Sequence, residues 1–451
     1  MTVEEEQTRR RSLLPFAHSL QALVHGRLWL QVLVGMALGI CTGLLIGPTT
    51  GLLSKEVGSV VGNWLAFPGQ LFLALIQMIV IPLVFSSIIR GLCSSEDLEQ
   101  LRRLGGRAIL FFVLTTAVAV VIGITLALVI RPGDYVDATN LTIGAGAPGG
   151  ITDAARPSIV DLPDHMLTLL PTNPLSSMVE SNMLQVVIFA SIVGVALVVM
   201  QREKARPVLD LLASLQEVCL TIVKWAMWLA PFAVFGLMAR LTAETGPQAL
   251  IGVLVYVATV LVGLLLMLGI LLAIARVYGQ ITPRAFFGAA KDVMLLAFST
   301  SSSAAVMPLS IKTAEGPLKV RKHISQFVIP LGATINMNGT ALYQGVAAIF
   351  IAQVFGVEIG AAGLVLIVLT SVGASIGSPA TPGVGIVILS TILVSVGVPA
   401  SGIALIMGVD RLLDMSRTVV NVCGDLVACI VLDKLDSKGN DEQDRSTVPP
   451  P

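Results

Sequence analysis

Residues 410–425 read Asp410-Arg411-Leu412-Leu413-Asp414-Met415-Ser416-Arg417-Thr418-Val419-Val420-Asn421-Val422-Cys423-Gly424-Asp425, inside a longer, mostly apolar stretch near 399–433. On a helix turning about 100° per residue, Asp410, Asp414, Arg417, Asn421 and Asp425 fall within an arc of roughly 80° and rise by about 22 Å. That rise is most of the hydrocarbon thickness of a bilayer. One ionisable group at mid-membrane costs at least about 2.5 kcal/mol. Several on one stripe demand charged or hydrated partners, which are either one another or a charged guest. A guanidinium locked to its own carboxylates in a dry core, with no room for a guest, would favour the purely structural alternative.

The rest of the chain supports a membrane setting. Its 451 residues are 55% hydrophobic and only 12% charged, with zero formal net charge. The mean hydropathy is +0.88. Soluble domains carry about 25% charged residues, so this chain cannot cover a water-facing surface, and its main solvent is lipid. A neutral chain gives no reason to expect a nucleic-acid partner. Cys41, Cys93, Cys219, Cys423 and Cys429 lie in or beside apolar runs without Cys-x-x-Cys spacing. They read as small apolar residues.

Runs long enough to span lie near 29–47, 63–92, 107–130, 184–200, 214–240 and 249–276, and interrupted ones near 325–354 and 399–433. Two further apolar stretches, 286–312 and 358–396, have Ser- or Gly/Pro-rich centres and fit hairpins that enter and leave on one side. With eight spans and two such hairpins, the basic clusters fall on one side. These are Arg9–Arg11 with Arg27; Arg102, Arg103 and Arg107; Arg202, Lys204 and Arg206; Arg276, Arg284 and Lys291; Lys312, Lys319, Arg321 and Lys322; and Lys434 with Lys438. By the positive-inside rule both termini are cytoplasmic, and the expected location is the plasma (inner) membrane. Residues 1–28 read as a cytoplasmic arm and 436–451 as a disordered tail.

The first hairpin centre is Ser299-Thr300-Ser301-Ser302-Ser303; the second runs Ser375-Ile376-Gly377-Ser378-Pro379-Ala380-Thr381-Pro382-Gly383-Val384-Gly385. Non-helical backbone survives at membrane depth only against protein or a wet cavity. Each hairpin precedes a polar span, an inverted-repeat plan that puts a substrate site where the broken elements meet. The seventh span contains Gly332-Ala333-Thr334-Ile335-Asn336-Met337-Asn338-Gly339-Thr340, then Tyr343 and Gln344. Asn-Met-Asn-Gly is poor helix chemistry. It fits either a kinked helix with inter-helix amide bonds or an unwound segment whose oxygens hold a hard cation. In a continuous helix Asn338 would point away from Asn336 and Thr340 and need partners of its own.

These motifs resemble the dicarboxylate/amino acid:cation symporters, the family of glutamate and aspartate transporters, over about residues 30–434. The resemblance implies an all-α polytopic fold of eight transmembrane helices and two re-entrant helical hairpins, working as an elevator in a homotrimer. It implies scaffold helices at 29–93 and 184–242, a transport-domain helix at 94–130, an external loop at 131–183 and a transport domain at 243–435. The last would hold hairpin 1 (about 284–313), hairpin 2 (about 357–397) and the final helix. The implied activity is symport of L-aspartate or L-glutamate with cations, Na⁺ in particular.

Carried over by motif, Arg417 pairs with the substrate's side-chain carboxylate, as its planar fork suits. Asp414 holds the amino group. Asn421 and Thr340 bind carboxylate oxygens, with Thr418 beside them. Ser302 and Ser303 contribute from the first hairpin, and Thr381 and Gly385 close over the ligand from the second. Having both Asp414 and Arg417 implies an acidic amino acid rather than a dicarboxylate or a neutral amino acid. One Na⁺ site is implied at Gly332, Asn336, Asn421 and Asp425, and a second at Thr334 with Ser375, Ile376 and Ser378. A third would use Thr115, Thr116 and residue 338, but Asn338 stands where the family has an aspartate, which removes a charge from it. Gln344 replaces the glutamate of proton-carrying relatives, and Pro379 and Thr381 depart from the usual hairpin tip. Three other readings remain open on sequence: proton-coupled or other cation-coupled transport of dicarboxylates or neutral amino acids, an anion channel, and a membrane-embedded serine enzyme. The last lacks a histidine in the polar core and a Gly-x-Ser-x-Gly elbow.

Overall fold

The computed structural model describes residues 28–47, 55–93, 104–136, 170–179, 183–375 and 384–447. The segments read from sequence as an N-terminal arm, most of an external loop and a second hairpin tip, with Ile376, Ser378, Pro379 and Thr381, lie outside the described residues. Among the described residues every regular element is helical. In chain order these are α1 (Leu28–Ile46), α2 (Lys55–Leu92), α3 (Gly106–Ile130), a 3₁₀ turn (Pro132–Tyr135), α4 (Pro174–Val179), α5 (Met183–Val199) and α6 (Arg202–Val277). There follow α7 (Pro283–Thr300), α8 (Ser303–Glu315), α9 (Lys322–Ile335), α10 (Asn338–Val354), α11 (Ala361–Ser375) and α12 (Val384–Ser395), then a second 3₁₀ turn (Ala400–Gly402) and α13 (Ile403–Thr447).

Four helical segments among the described residues are long and apolar enough to cross a membrane: Gly106–Ile130, Arg202–Ala243, Ile251–Val277 and Leu405–Ser437. Their burial separates them. The first three are 38–39% buried over their apolar windows, whereas Leu405–Ser437 is 89% buried. The helix with the charged stripe is therefore the one that protein surrounds.

Two element boundaries differ from the sequence reading, although Arg202–Ala243 and Ile251–Val277 remain two separate candidate spans. The runs at 214–240 and 249–276 are joined by helical backbone into α6, 76 residues long. A straight helix of that length would measure about 114 Å, several times the hydrocarbon thickness, so α6 has to bend to keep both apolar segments in a bilayer. Gly246-Pro247 sits between them in sequence, and Pro lacks the backbone donor that holds a helix straight. Nor does the chain leave helix at Asp436, because α13 continues to Thr447. Residues 437–447 are polar but include Lys438, Glu442, Gln443 and Arg445, which favour helix, and the first proline beyond them is Pro449.

Packing follows small residues. Along α1 and just past its end, Gly35, Gly39, Gly43 and Gly47 recur every fourth position and meet Pro231, Phe235, Ala239 and Ala243 of α6, which keep the same spacing. In lipid, where apolar surface alone drives no association, such close backbone approach is what holds helices together. α2 packs on α6 and α5, while α13 packs on α6 through α10. α10 buries every residue except Gln353. Gln353 donates to the Ala127 carbonyl at 2.9 Å and accepts from the Gly133 amide at 3.0 Å, tying α10 to the end of α3. At the basic end, Arg321 meets Asp433 at 2.7 Å and Asp436 at 3.1 Å, anchoring the start of α9 to α13.

A Cβ on Gly39 would collide with the Phe235 carbonyl oxygen and sit 3.0 Å from the Met238 Cβ. Gly39→Leu is expected to cost about 1–3 kcal/mol through overpacking. Its thermal unfolding in detergent should begin at lower temperature than wild type; equal curves would mean that α1 and α6 are not in backbone contact.

Candidate functional site

The charge cluster is built on one face of α13. Arg417 is fully buried, with 0% of its surface exposed. Its Nη2 donates to Asp414 Oδ1 at 2.8 Å, and its Nη1 lies 3.1 Å from Asp410 Oδ1 without hydrogen-bond alignment. Its guanidinium carbon stands 3.8 Å from the centroid of the Tyr343 ring, contributed by α10. A cation over a desolvated aromatic face gains about 2 kcal/mol. α12 also reaches this group: a Cβ on Gly385 would lie 3.2 and 3.3 Å from Arg417 Nη1 and Nη2. Arg417 Nε and Nη1 make no hydrogen bond. A buried donor left unmade costs about 1–3 kcal/mol, so the guanidinium keeps unspent capacity for an oxygen acceptor.

The carboxylates are thus paired to the guanidinium, as the structural alternative requires, yet the cluster is not sealed. Asp410, Arg411 and Asp414 line a partly open cleft of about 30 Å³ whose other wall is Phe72, Ala233 and Leu237 of α2 and α6. That volume holds a water or two, so an amino acid enters only if the cleft widens.

The second cluster forms where α9 unwinds into α10. Asn336 is extended (φ −89°, ψ 91°) and Met337 is non-helical (φ −117°, ψ 45°). The break frees polar groups that α13 takes up. Asn421 Oδ1 accepts from the Gly339 amide at 2.7 Å and so caps the new helix. Its Nδ2 lies 3.3 Å from both Thr340 Oγ1 and Met337 Sδ. Asn336 Nδ2 bridges Asp425 Oδ1 at 2.8 Å and the Asn421 carbonyl at 3.0 Å, while Asn336 Oδ1 is buried without a partner. A Cβ on Gly332 would collide with Asp425 Oδ1. An amide nitrogen therefore occupies the place a small cation would take between a carboxylate and a carbonyl. Turning that amide over would present its orphaned oxygen as a third hard ligand. Gly332, Asn336, Asn421 and Asp425 come together and fit a hard monovalent cation.

The other expected sites fare differently. Asn338 finds the partner its off-face position demands: Thr116 donates to its Oδ1 at 2.8 Å. Its Nδ2 stays buried and unpartnered, and Thr115 donates to the Phe111 carbonyl of its own helix at 2.8 Å. Its oxygen is thus already taken by the Thr116 hydroxyl, and the amide brings no charge. Thr334, Ser375 and Thr418 likewise spend their hydroxyls on carbonyls of their own helices. Between α7 and α8 Ser301 adopts the left-handed conformation (φ 50°), and Ser302 caps α8 by accepting from the Ala305 amide at 3.3 Å. Ser303 is buried at the start of α8.

Tyr343 and Arg411 were not assigned from sequence. Tyr343 was legible as the next member of the Asn336, Thr340 face, at spacings of four and three. Arg411 lies off the charged stripe, and its signal was the spacing of three to Asp414, the distance at which helix side chains meet.

The family model of the sodium:dicarboxylate symporters matches residues 28–435. The chain belongs to this family. It is 36% identical over 414 residues to a proton/glutamate-aspartate symporter of Escherichia coli, covering 90% of this chain and 92% of the relative. It is 34% identical to a proton/sodium-glutamate symport protein of Bacillus subtilis, covering 91% and 95%. A human neutral amino acid transporter B(0) is 33% identical, with 93% and 82% covered. This is a family of membrane transporters, not enzymes, which sets aside the serine-enzyme alternative.

Removing the amide that bridges Asp425 would leave a buried carboxylate unpaired. Asn336→Leu is expected to destabilise the protein by about 1–3 kcal/mol, the cost of an unsatisfied buried acceptor, seen as a lower melting temperature in cation-free buffer. An unchanged melting temperature would mean that Asp425 has another partner.

Proposed function

We propose that this chain is a secondary active symporter that takes up L-aspartate or L-glutamate together with cations. The observation that carries the reading is the buried Arg417 guanidinium, which retains unused donors beside the Asp414 carboxylate. A zwitterion with a second carboxylate complements that arrangement: its side-chain carboxylate takes the open Arg417 donors and its ammonium takes Asp414. Asn421 and Thr340 lie next in line for the α-carboxylate, with Thr418 lower on the same face. Gly385, close against the guanidinium, brings the second hairpin over the ligand, where Thr381 would join it. Ser302 and Ser303 would close the site from the first hairpin.

Na⁺ is the coupling ion we favour, held at Gly332, Asn336, Asn421 and Asp425. A second site would use Thr334, Ser375, Ile376 and Ser378. The corner of Thr115, Thr116 and Asn338 lacks the charge to hold a third. Proton coupling is the second reading, supported by the names of the bacterial relatives and opposed by Gln344. We further propose a homotrimer in the plasma membrane with eight transmembrane helices, two re-entrant hairpins, cytoplasmic termini, and a transport domain at 243–435 that moves as an elevator against a scaffold.

Purified protein in proteoliposomes should concentrate radiolabelled aspartate or glutamate when an inward Na⁺ gradient is imposed. Failure to accumulate either one under Na⁺ and proton gradients alike would reject the substrate assignment; accumulation under a proton gradient alone would reject only Na⁺. Arg417→Thr should lower aspartate affinity at least about 100-fold, the loss of a buried charge-assisted pair, and unchanged affinity would remove the role given to Arg417. Asn338→Asp should steepen the dependence of uptake on Na⁺ concentration, with an unaltered curve placing any further cation elsewhere.

A further inference from the structure

Both oxygens of the Asp414 carboxylate face a guanidinium. Oδ1 accepts from Arg417 Nη2 at 2.8 Å, and Oδ2 accepts from Arg411 Nη1 at 3.4 Å. The two arginines are not equivalent. Arg417 is also held by Asp410 and by the Tyr343 ring. Arg411 is only 6% exposed, yet its Nε and Nη2 make no hydrogen bond. It borders the cleft between α2 and α6 on one side and α12 and α13 on the other. The facing side chains Phe72, Ala233, Leu237 and Ile386 are apolar and offer a guanidinium no acceptor. The carboxylates beside it are Asp410 and Asp414, and the neighbouring cation Arg417 repels it. Arg411 is thus a buried cation anchored through one long contact, at the edge of the cleft from which Asp414 is reached.

We propose that Arg411 is an internal stand-in for the substrate's ammonium group. It occupies Asp414 Oδ2 while no guest is present and gives that oxygen up when an amino acid binds. The longer of the two Asp414 contacts is the one that yields, because Arg417 is fixed on three sides and Arg411 is not. Arg411 therefore sets the affinity for amine-bearing ligands and their advantage over dicarboxylates without an amine. The proposal rests on the reading that Asp414 receives the ammonium. With Arg411 in place, the charge of Asp414 is balanced and a plain dicarboxylate meets little repulsion. Without it, an unbalanced buried carboxylate attracts an ammonium and repels a ligand that carries only negative charge.

The test is direct binding of L-aspartate and of succinate to the purified full chain, by calorimetry at fixed Na⁺, for wild type, Arg411→Met, Arg411→Gln and Arg411→Lys. The neutral variants should bind aspartate roughly tenfold more tightly, a change of about 1.4 kcal/mol, and succinate no better than wild type. Arg411→Lys keeps the charge and should hold the aspartate-to-succinate ratio within about threefold of wild type. A folded neutral variant with an unchanged ratio, or with both ligands weakened equally, overturns the proposal while leaving the transporter reading intact. Should Arg411→Met fail to fold, the ratio in Arg411→Gln decides in the same way. A wild-type chain that binds no aspartate overturns both.

Discussion

A guanidinium with no exposed surface has to be neutralised inside the protein, and meeting that requirement organises the core around Arg417. Breaking a buried ion pair costs about 3–5 kcal/mol because it strands a charge in low dielectric. Arg417 is accordingly surrounded on several sides: Asp414 and Asp410 from its own helix, the Tyr343 face from α10 and the close approach of Gly385 from α12. Each neighbour depends on a separate feature of the chain. Tyr343 reaches the guanidinium only because α10 lies against α13, and a Cβ on Gly339 would come within 2.5 Å of the Arg417 carbonyl oxygen. The charge thereby fixes the position of the unwound segment, and the unwound segment fixes the position of the aromatic ring.

The same helix serves a second cluster about a turn beyond. Asn421 belongs to both: its amide group caps α10 and approaches Thr340, while its backbone carbonyl accepts from Asn336. A ligand that disturbs Asn421 at the charge cluster would therefore disturb the Asn336–Asp425 bridge as well. This shared residue joins the two clusters physically, because one side chain and its own carbonyl serve both. In the described state both clusters are filled by the protein's own groups. An amide nitrogen meets the Asp425 carboxylate, and guanidinium nitrogens meet both oxygens of Asp414. Both arrangements leave buried polar atoms unsatisfied, Asn336 Oδ1 in one and guanidinium nitrogens in the other, and such atoms cost free energy.

The charged stripe, the broken seventh span and the Ser-rich hairpin tip were legible in the sequence. Each departs from what a lipid-solvated helix requires: charge at mid-membrane, Asn-Met-Asn-Gly within a span, and five consecutive hydroxyl residues between apolar arms. The family was legible for the same reason, since those departures are concentrated in short motifs. The joined backbone of α6 and the extension of α13 to Thr447 were not. Element ends rest on small differences in propensity, which polar but helix-compatible residues such as Glu442 and Arg445 do not declare.

What the sequence determined by itself is the membrane setting, the helical class and the face of α13 that carries charge, because hydropathy and a period of 3.6 residues are local properties. What only the tertiary structure decided is which partner each polar group takes. Tyr343 under Arg417, Thr116 on Asn338 and Arg411 on Asp414 are choices among several acceptors or cations of suitable type, and two of the three cross between helices far apart in sequence. Pairing in a core depends on distance and direction in three dimensions, and those are fixed by how helices pack rather than by what any one of them contains.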